Sequence, residues 1–195
     1  HLAAASALAE LLGDDHAKAR ALCQGAHLAW QMGRWTDAIA TGTHAMTVAE
    51  GIGNVGLAVS SRFFMGLSTL ALGQVETGAD LLRHNVSILG GDLARERFGF
   101  VSICSVVSGA YLAVCLTELG RFDEAEQAAL AAQATARQHG LAFDQIQADL
   151  ALAGVDLMRG DSGRRIELLE RALRERTAEL RASEARFRRL TELAS

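Results

Sequence analysis

Apolar residues recur along most of the chain at intervals of three and four, within segments rich in alanine and leucine. This spacing is typical of amphipathic α-helices that bury one face. Small and apolar stripes are clearest on the two sides of one central glycine, Gly120: Leu112, Ala113 and Leu116 before it, and Ala125, Ala129 and Ala132 after it. Because proline is absent, nothing interrupts long helices. The pattern predicts an all-α chain whose helices pack closely through alanine.

Four glycine-containing turn sequences separate these helices. They read MGRWTDA (32–38), LGQVETG (72–78), LGRFDEA (119–125) and RGDSGRR (159–165). Their glycines, Gly33, Gly73, Gly120 and Gly160, are 40, 47 and 40 residues apart. Since glycine favours helix ends, each turn joins a helix A before it to a helix B after it. We predict an α-solenoid, in which about four such hairpins stack in order.

The stretch GIGNVG, residues 51–56, matches the dinucleotide-binding pattern G-x-G-x-x-G. That pattern requires a preceding strand and a following helix, whereas residues 35–50 are alanine-rich and have mostly helical spacing. We therefore interpret these glycines as part of the turn between two consecutive repeats. Gly51 ends a helix B, Gly53 and Asn54 form the turn, and Gly56 begins the next helix A. No cofactor is predicted.

The first and third hairpins combine a small residue midway along helix A, a glycine at the turn, an aromatic residue two positions later, and alanines on helix B. The second and fourth hairpins depart from this pattern, with Val75 and Ser162 at the aromatic position and Arg165 at a small-residue position of the fourth. The first hairpin has these residues at Ala26, Gly33, Trp35, Ala38 and Ala45. This pattern resembles the tetratricopeptide repeat (TPR) over roughly residues 15–175. The period of about 40 is longer than the usual ~34 residues, and the usual terminal proline is missing. The resemblance implies an all-α TPR-like solenoid that recognises protein partners through a groove lined by its A helices.

The longer period, and above all the run at 65–99, is similar to the repeat regions of large bacterial signalling ATPases. Such proteins often have a nucleotide cyclase or a kinase at the other end. The likeness implies a regulatory, cytoplasmic region whose catalytic residues lie elsewhere. The sequence itself has no G-x-x-x-x-G-K-[ST] loop and no cyclase metal site. We therefore predict no catalysis by this chain.

Residues 164–195 have a different sequence pattern, in which apolar residues recur every seven residues. The heptad positions are Ile166, Leu169, Leu173, Leu180, Phe187 and Leu190. They indicate a coiled coil or, equally, one long amphipathic helix packed on the solenoid. Residues 175–194 resemble the helical linker into a PAS domain of bacterial sensor kinases and diguanylate cyclases, which implies a homodimer through this helix. We expect 1–14 to end a truncated repeat, 15–163 to form the repeats, and the chain, which begins with His1, to be an excerpt.

Charge and hydropathy exclude two classes of partner. The formal net charge of residues 164–195 is +3, and that of the rest of the chain is −7. Phosphate contacts need clustered positive charge, so we predict no nucleic-acid partner. No apolar run reaches about 18 residues without polar interruption, so we predict no membrane span. The most apolar stretch, 98–116, is predicted to be a buried core helix. The three cysteines lie in apolar segments, which predicts reduced, buried thiols.

The TPR resemblance places the groove on the A helices, and we take as partner-binding candidates Arg20, His27, Trp30, Phe63, Leu67 and Glu118. The competing interpretation is that several of them are simply core residues. We predict a non-catalytic scaffold that binds a protein partner or neighbouring domains of the same polypeptide. The alternative is a segment that senses a small ligand near Trp30 and Phe63 and regulates a nucleotide cyclase, histidine kinase or diguanylate cyclase outside this chain. An enzyme acting alone is the least supported hypothesis.

Overall fold

The computed structural model describes residues 1–139 and 142–160, together with seven single residues between 166 and 178. Within these residues the regular structure is helical, without strands. The helices are α1 (Leu2–Leu11), α2 (Asp15–Gln31), α3 (Trp35–Gly51), α4 (Val55–Ala71), α5 (Val75–Ile88), α6 (Cys104–Glu118), α7 (Phe122–His139) and α8 (Ala142–Arg159), with a short 3₁₀ helix at Gly91–Arg95 before α6. The heptad residues Leu169, Leu180, Phe187 and Leu190 lie outside the described residues.

The helices stack in chain order. Each one packs against the next along the sequence, and alternate helices α2, α4, α6 and α8 also pack side by side. This combination of contacts is that of a solenoid built from hairpins. The A helices are α2, α4, α6 and α8, and the B helices of the first three hairpins are α3, α5 and α7. The predicted all-α solenoid is confirmed.

The four predicted turn glycines all have left-handed backbone conformation, with φ between 71° and 92°. At the first turn, the Gly33 N–H donates to the carbonyl of Trp30 at 3.0 Å, and the Arg34 N–H donates to that of Ala29 at 2.9 Å. The same pair of bonds closes the turns at Gly73 and Gly120. These bonds satisfy the last carbonyls of helix A, and glycine adopts the required φ without a steric penalty.

The GIGNVG stretch lies between two helices, as the repeat interpretation predicts. Gly51 is the last residue of α3, and Gly53 is the left-handed residue of the turn. Asn54 caps α4 by accepting the Leu57 N–H on its side chain at 3.0 Å. Gly56 lies in the first turn of α4 against the ring of Phe98, and a Cβ added there would be 2.6 Å from that ring. Gly53 therefore permits the turn, and Gly56 permits the close contact between α4 and Phe98.

Small residues line the helix interfaces. Ala26, Ala38, Ala45, Ala125 and Ala129 are fully buried. They let helix axes approach closely while still burying apolar surface. Between α4 and α5 the backbones come so close that a Cβ on Gly78 would be 3.0 Å from the carbonyl oxygen of Gly66. The alanine stripes are therefore the core of the hairpins, as predicted.

One predicted helix begins later than expected. The stretch 98–116 was predicted to be a single buried helix, but α6 begins at Cys104, and residues 96–103 form a loop. Phe98 (φ 46°) and Gly99 (φ 88°) have left-handed backbone conformation, which ends helical hydrogen bonding. The loop is apolar because its side chains line a pocket, so hydropathy alone does not distinguish it from a core helix.

A mostly buried polar cluster joins the first two hairpins through α3, α4 and α5. The Arg62 guanidinium donates to Asn85 Oδ1 at 3.1 Å and to Glu50 Oε1 at 2.7 Å. Asn85, itself fully buried, donates to the carbonyl oxygen of Val59 at 3.0 Å. The buried side chains of Arg62 and Asn85 thus both have hydrogen-bond partners, which avoids the cost of desolvating them without compensation.

Candidate functional site: a pocket on the A-helix face

A pocket of about 430 Å³ lies on the face where the four A helices meet the 96–103 loop. We call it the aromatic pocket. It is lined by side chains of α2 (Cys23, Gln24, His27, Trp30, Gln31), α4 (Leu57, Ser60, Phe63, Phe64, Leu67), the loop (Phe98, Gly99, Phe100, Val101, Ser102), α6 (Val107, Tyr111) and α8 (Phe143, Gln147). The chain has seven Phe, two Trp and one Tyr, and seven of these ten side chains line this pocket.

The centre of the pocket wall is a stack of three nearly parallel rings. The Phe64 ring lies between His27, at a centroid distance of 4.2 Å, and Phe100, at 5.5 Å. Phe63 meets Phe100 and Tyr111 edge-on, at 5.4 Å and 5.7 Å. Such pairs add about 0.5–1.5 kcal/mol each beyond the area they bury. The rings are therefore held in fixed orientations by one another.

The loop that supplies Phe98 and Phe100 is held by a buried carboxylate. Asp144, in the first turn of α8, is fully buried. It accepts the Ile103 N–H on Oδ1 at 2.9 Å and pairs through Oδ2 with Arg97 at 3.2 Å. Arg97 also donates to the carbonyl oxygen of Val101. Its guanidinium thus fastens the loop to α8.

The pocket is electrostatically neutral. Among the described residues that line it there is no Asp, Glu, Lys or Arg. Burial lowers the pKa of His27 below its ordinary value of 6.5, which favours the neutral imidazole at pH 7. Burial also raises the pKa of the Cys23 thiol, so Cys23 is not an activated nucleophile. These side chains can bind a ligand by stacking and hydrogen bonding, and they include no ionised acid–base pair for catalysis.

All three cysteines are buried free thiols, as predicted. Burial raises the pKa of Cys104 to about 12 and that of Cys115 to about 11, which makes both thiols inert. In the described part of the chain, no group of three His, Cys, Asp or Glu side chains could hold a metal ion. Over the same residues, no helix has both the length and the apolar character that a membrane crossing requires.

The predicted groove residues divide into two groups. His27, Trp30, Phe63 and Leu67 all line the aromatic pocket, where Phe63 and Leu67 are buried while His27 and Trp30 are half-buried. Arg20 and Glu118 are exposed on α2 and α6, outside the pocket lining. Of the heptad residues, Ile166 and Leu173 are described, with 57% and 69% of their surface exposed.

Sequence reasoning missed five of the aromatic lining residues: Phe64, Phe98, Phe100, Tyr111 and Phe143. Two signals pointed to the loop residues Phe98 and Phe100. The third turn follows the second by 47 residues instead of 40, which leaves seven residues for an insertion before α6. The sequence FGF at 98–100 places two aromatic rings beside a glycine within that insertion.

No protein-family model and no curated protein matches the sequence significantly. Solved structures resemble the fold. A putative kinesin light chain of Podosopora anserina with nearly identical TPR-like repeats has a TM-score of 0.73 at 18% identity, covering 92% of this chain and 85% of that one. BtubC (BKLC) from P. vanneervenii has a TM-score of 0.71 at 18% identity, covering 85% and 66%. A Rap protein complexed with competence and sporulation factor has 0.67 at 16% identity, covering 80% and 42%.

This chain therefore spans about two thirds of BtubC and less than half of the Rap protein. At these identities the likeness concerns the fold. The described helices of this chain form a TPR-like α-solenoid, and the aromatic pocket lies on its A-helix face.

Proposed function

We propose that this chain is a non-catalytic interaction module, which binds a protein partner on the A-helix face. The observation that carries this proposal is the aromatic pocket, whose half-buried rings Trp30, Phe100 and Tyr111 are open to a further apolar group. Aromatic side chains in such pockets are frequent energetic centres of protein interfaces. The polar side chains of Gln24 and Gln31, both exposed, lie at its edge and provide a hydrogen-bonding rim.

The structural neighbours support this proposal. The Rap protein with the same fold was solved in complex with competence and sporulation factor, so a solenoid of this kind can hold a ligand. Some members of the TPR family clamp a peptide carboxylate with a set of lysine and asparagine side chains. Lys18 is the only lysine in this chain, which argues against a peptide carboxylate as the recognised group. An apolar or aromatic side chain of the partner suits this pocket better.

We further propose that the module belongs to a cytoplasmic bacterial signalling protein. In this arrangement residues 1–14 end a preceding repeat, and residues 164–195, for which the sequence predicts a helix, lead towards a PAS-like domain and pair in a homodimer. Exposed Ile166 and Leu173 are in keeping with pairing. Sedimentation of the Ile166→Glu/Leu173→Glu chain tests this: dimer loss supports pairing, and an unchanged mass contradicts it.

Site-specific photo-crosslinking in host cells tests the partner proposal. A photoreactive phenylalanine analogue at Gln31, on α2 at the pocket edge, is compared with the same analogue at Thr43, exposed on the B helix α3. We expect a discrete crosslinked species from position 31 alone, which the additional substitution Trp30→Ala removes. Equal labelling from both positions, or none from either, contradicts the proposal.

A second candidate function is the sensing of a small ligand that regulates an attached enzyme. The specific observation in its favour is the size of the pocket. At about 430 Å³ it falls within the ~300–1,000 Å³ typical of small-molecule sites. It also combines a mostly apolar lining with a few polar groups, which is the usual composition of such sites.

A further inference from the structure

We propose that the aromatic pocket binds a small, planar, uncharged molecule with an aromatic ring system. This inference rests on the second candidate function and specifies the chemical class of the ligand. It is carried by three features of the pocket: the ring stack, the neutrality of the lining, and the wall that the 96–103 loop forms.

The ring stack favours a planar ligand. The interplanar angles of Phe64 with His27 and with Phe100 are 14° and 13°, so the three rings are stacked nearly parallel, with their faces turned towards one another. Phe63 and Tyr111 lie nearly perpendicular to each other. A planar aromatic molecule can therefore stack on an outer ring of this set or meet ring edges, which are the two preferred aromatic geometries.

The neutral lining disfavours a charged ligand. A bound carboxylate, sulfonate or ammonium group would lose hydration, and the described lining residues offer no opposite charge to compensate for that loss. Amides and hydroxyls are available instead, at Gln24, Gln147, Ser60 and Ser102. These groups suit a ligand with one or two neutral hydrogen-bonding atoms.

The loop favours a compact ligand over an extended chain. Phe98 touches Gly56 in the first turn of α4, while Arg97 is bonded to Asp144 in the first turn of α8. The loop thus spans from one A helix to another and forms a wall at that end of the pocket. A molecule of a few fused or linked rings fits within this boundary, and a polypeptide running the length of the groove would meet the wall.

A matched pair of fluorescent probes tests the inference on the whole chain. N-phenyl-1-naphthylamine is uncharged, and 8-anilino-1-naphthalenesulfonate has the same rings with an added sulfonate. We expect the uncharged probe to bind saturably at one site, and the sulfonate to bind at least about tenfold more weakly because its charge must be desolvated. Equal affinity, or tighter binding of the sulfonate, overturns the ligand class.

Two variants locate the bound probe. Phe100→Ala should weaken binding of the uncharged probe roughly tenfold by removing one ring of the stack. Phe122→Leu, an aromatic change at the α6–α7 turn outside the lining, should leave the affinity unchanged. Circular dichroism verifies that each variant folds, and Tyr111→Leu replaces Phe100→Ala if the latter does not. Equal effects of the pocket and control variants overturn the location.

Binding of neither probe overturns both this inference and the ligand-sensing function. The photo-crosslinking result at Gln31 is independent of the probes. Failure of the ligand site is thereby distinguished from failure of the protein-binding proposal.

Discussion

Arg97 and Asp144 are 47 positions apart in sequence, and their side chains are 3.2 Å apart in the structure. Asp144 is fully buried, and it also accepts the backbone N–H of Ile103. One carboxylate thus fixes the loop that closes one end of the aromatic pocket. The site depends on this contact between the connection preceding the third A helix and the start of the fourth.

Asp144→Asn should destabilise the protein by about 2 kcal/mol, since it removes the charge that pairs with Arg97 in a buried setting. Urea unfolding monitored by circular dichroism measures the loss. The matched control is Asp123→Asn, which breaks an ion pair with Arg159 from a side chain that is 96% exposed. The control should change stability by less than about 0.5 kcal/mol. Equal losses of stability in the two variants would show that the buried Asp144 contact stabilises the protein no more than an exposed ion pair does.

Ala125→Glu should unfold the third hairpin or cost at least about 3 kcal/mol, because Ala125 is fully buried between α6 and α7 and a carboxylate there has no partner. Ala131→Glu, on the exposed side of the same helix, is the control and should cost less than about 0.5 kcal/mol. A melting curve of Ala125→Glu that coincides with that of the unmodified chain would refute this placement of the core.

Alanine substitutions at two glycines of the GIGNVG stretch should change the free energy of unfolding in opposite directions. Gly51→Ala meets no atom within 4 Å and should stabilise α3 by roughly 0.5 kcal/mol. Gly56→Ala places a methyl group 2.6 Å from the Phe98 ring, and should cost about 1 kcal/mol while displacing that ring from the pocket wall. Thermal melts of the two variants and of the unmodified chain measure both changes in stability. A stabilising effect at Gly56 would mean that the Phe98 contact is absent in solution.

Acid should destabilise the protein through His27. Burial lowers its pKa in the folded state below 6.5, so between that lowered value and 6.5 the unfolded chain binds more protons than the folded one. Stability therefore falls as pH decreases through this window and is unaffected by His27 above it. Chemical denaturation from pH 7.5 down to about 5 should show a shallower decline for His27→Gln than for the unmodified chain. The exposed His44→Gln is the control. Identical slopes for all three proteins would contradict the account.

The fold was predictable because its signals are local. Gly33, Gly73, Gly120 and Gly160 each mark a left-handed turn, and the alanine stripes beside them mark the helix faces that meet. Both signals depend on backbone conformation and side-chain size within a few residues. The order of stacking then follows from the repetition itself.

The pocket was only partly predictable, because it depends on contacts between distant segments. His27, Trp30, Phe63 and Leu67 followed from their positions on A helices, whereas Phe98 and Phe100 come from an insertion whose path the sequence does not specify. An apolar run such as 98–116 is compatible with a core helix or with a loop that lines a pocket. The buried pairing of Asp144 with Arg97, which selects the loop, has no local sequence signal.

The two tryptophans allow the most direct test of the claim that the A-helix face holds the binding site. Trp30 lines the aromatic pocket, and Trp35 begins α3, outside the lining. In a two-dimensional NMR spectrum of isotope-labelled protein, the two indole N–H resonances are assigned through Trp30→Phe and Trp35→Phe and then followed while N-phenyl-1-naphthylamine is added. We predict a saturable shift of the Trp30 resonance and a stationary Trp35 resonance. A stationary Trp30 resonance, or equal shifts of both, would contradict the claim.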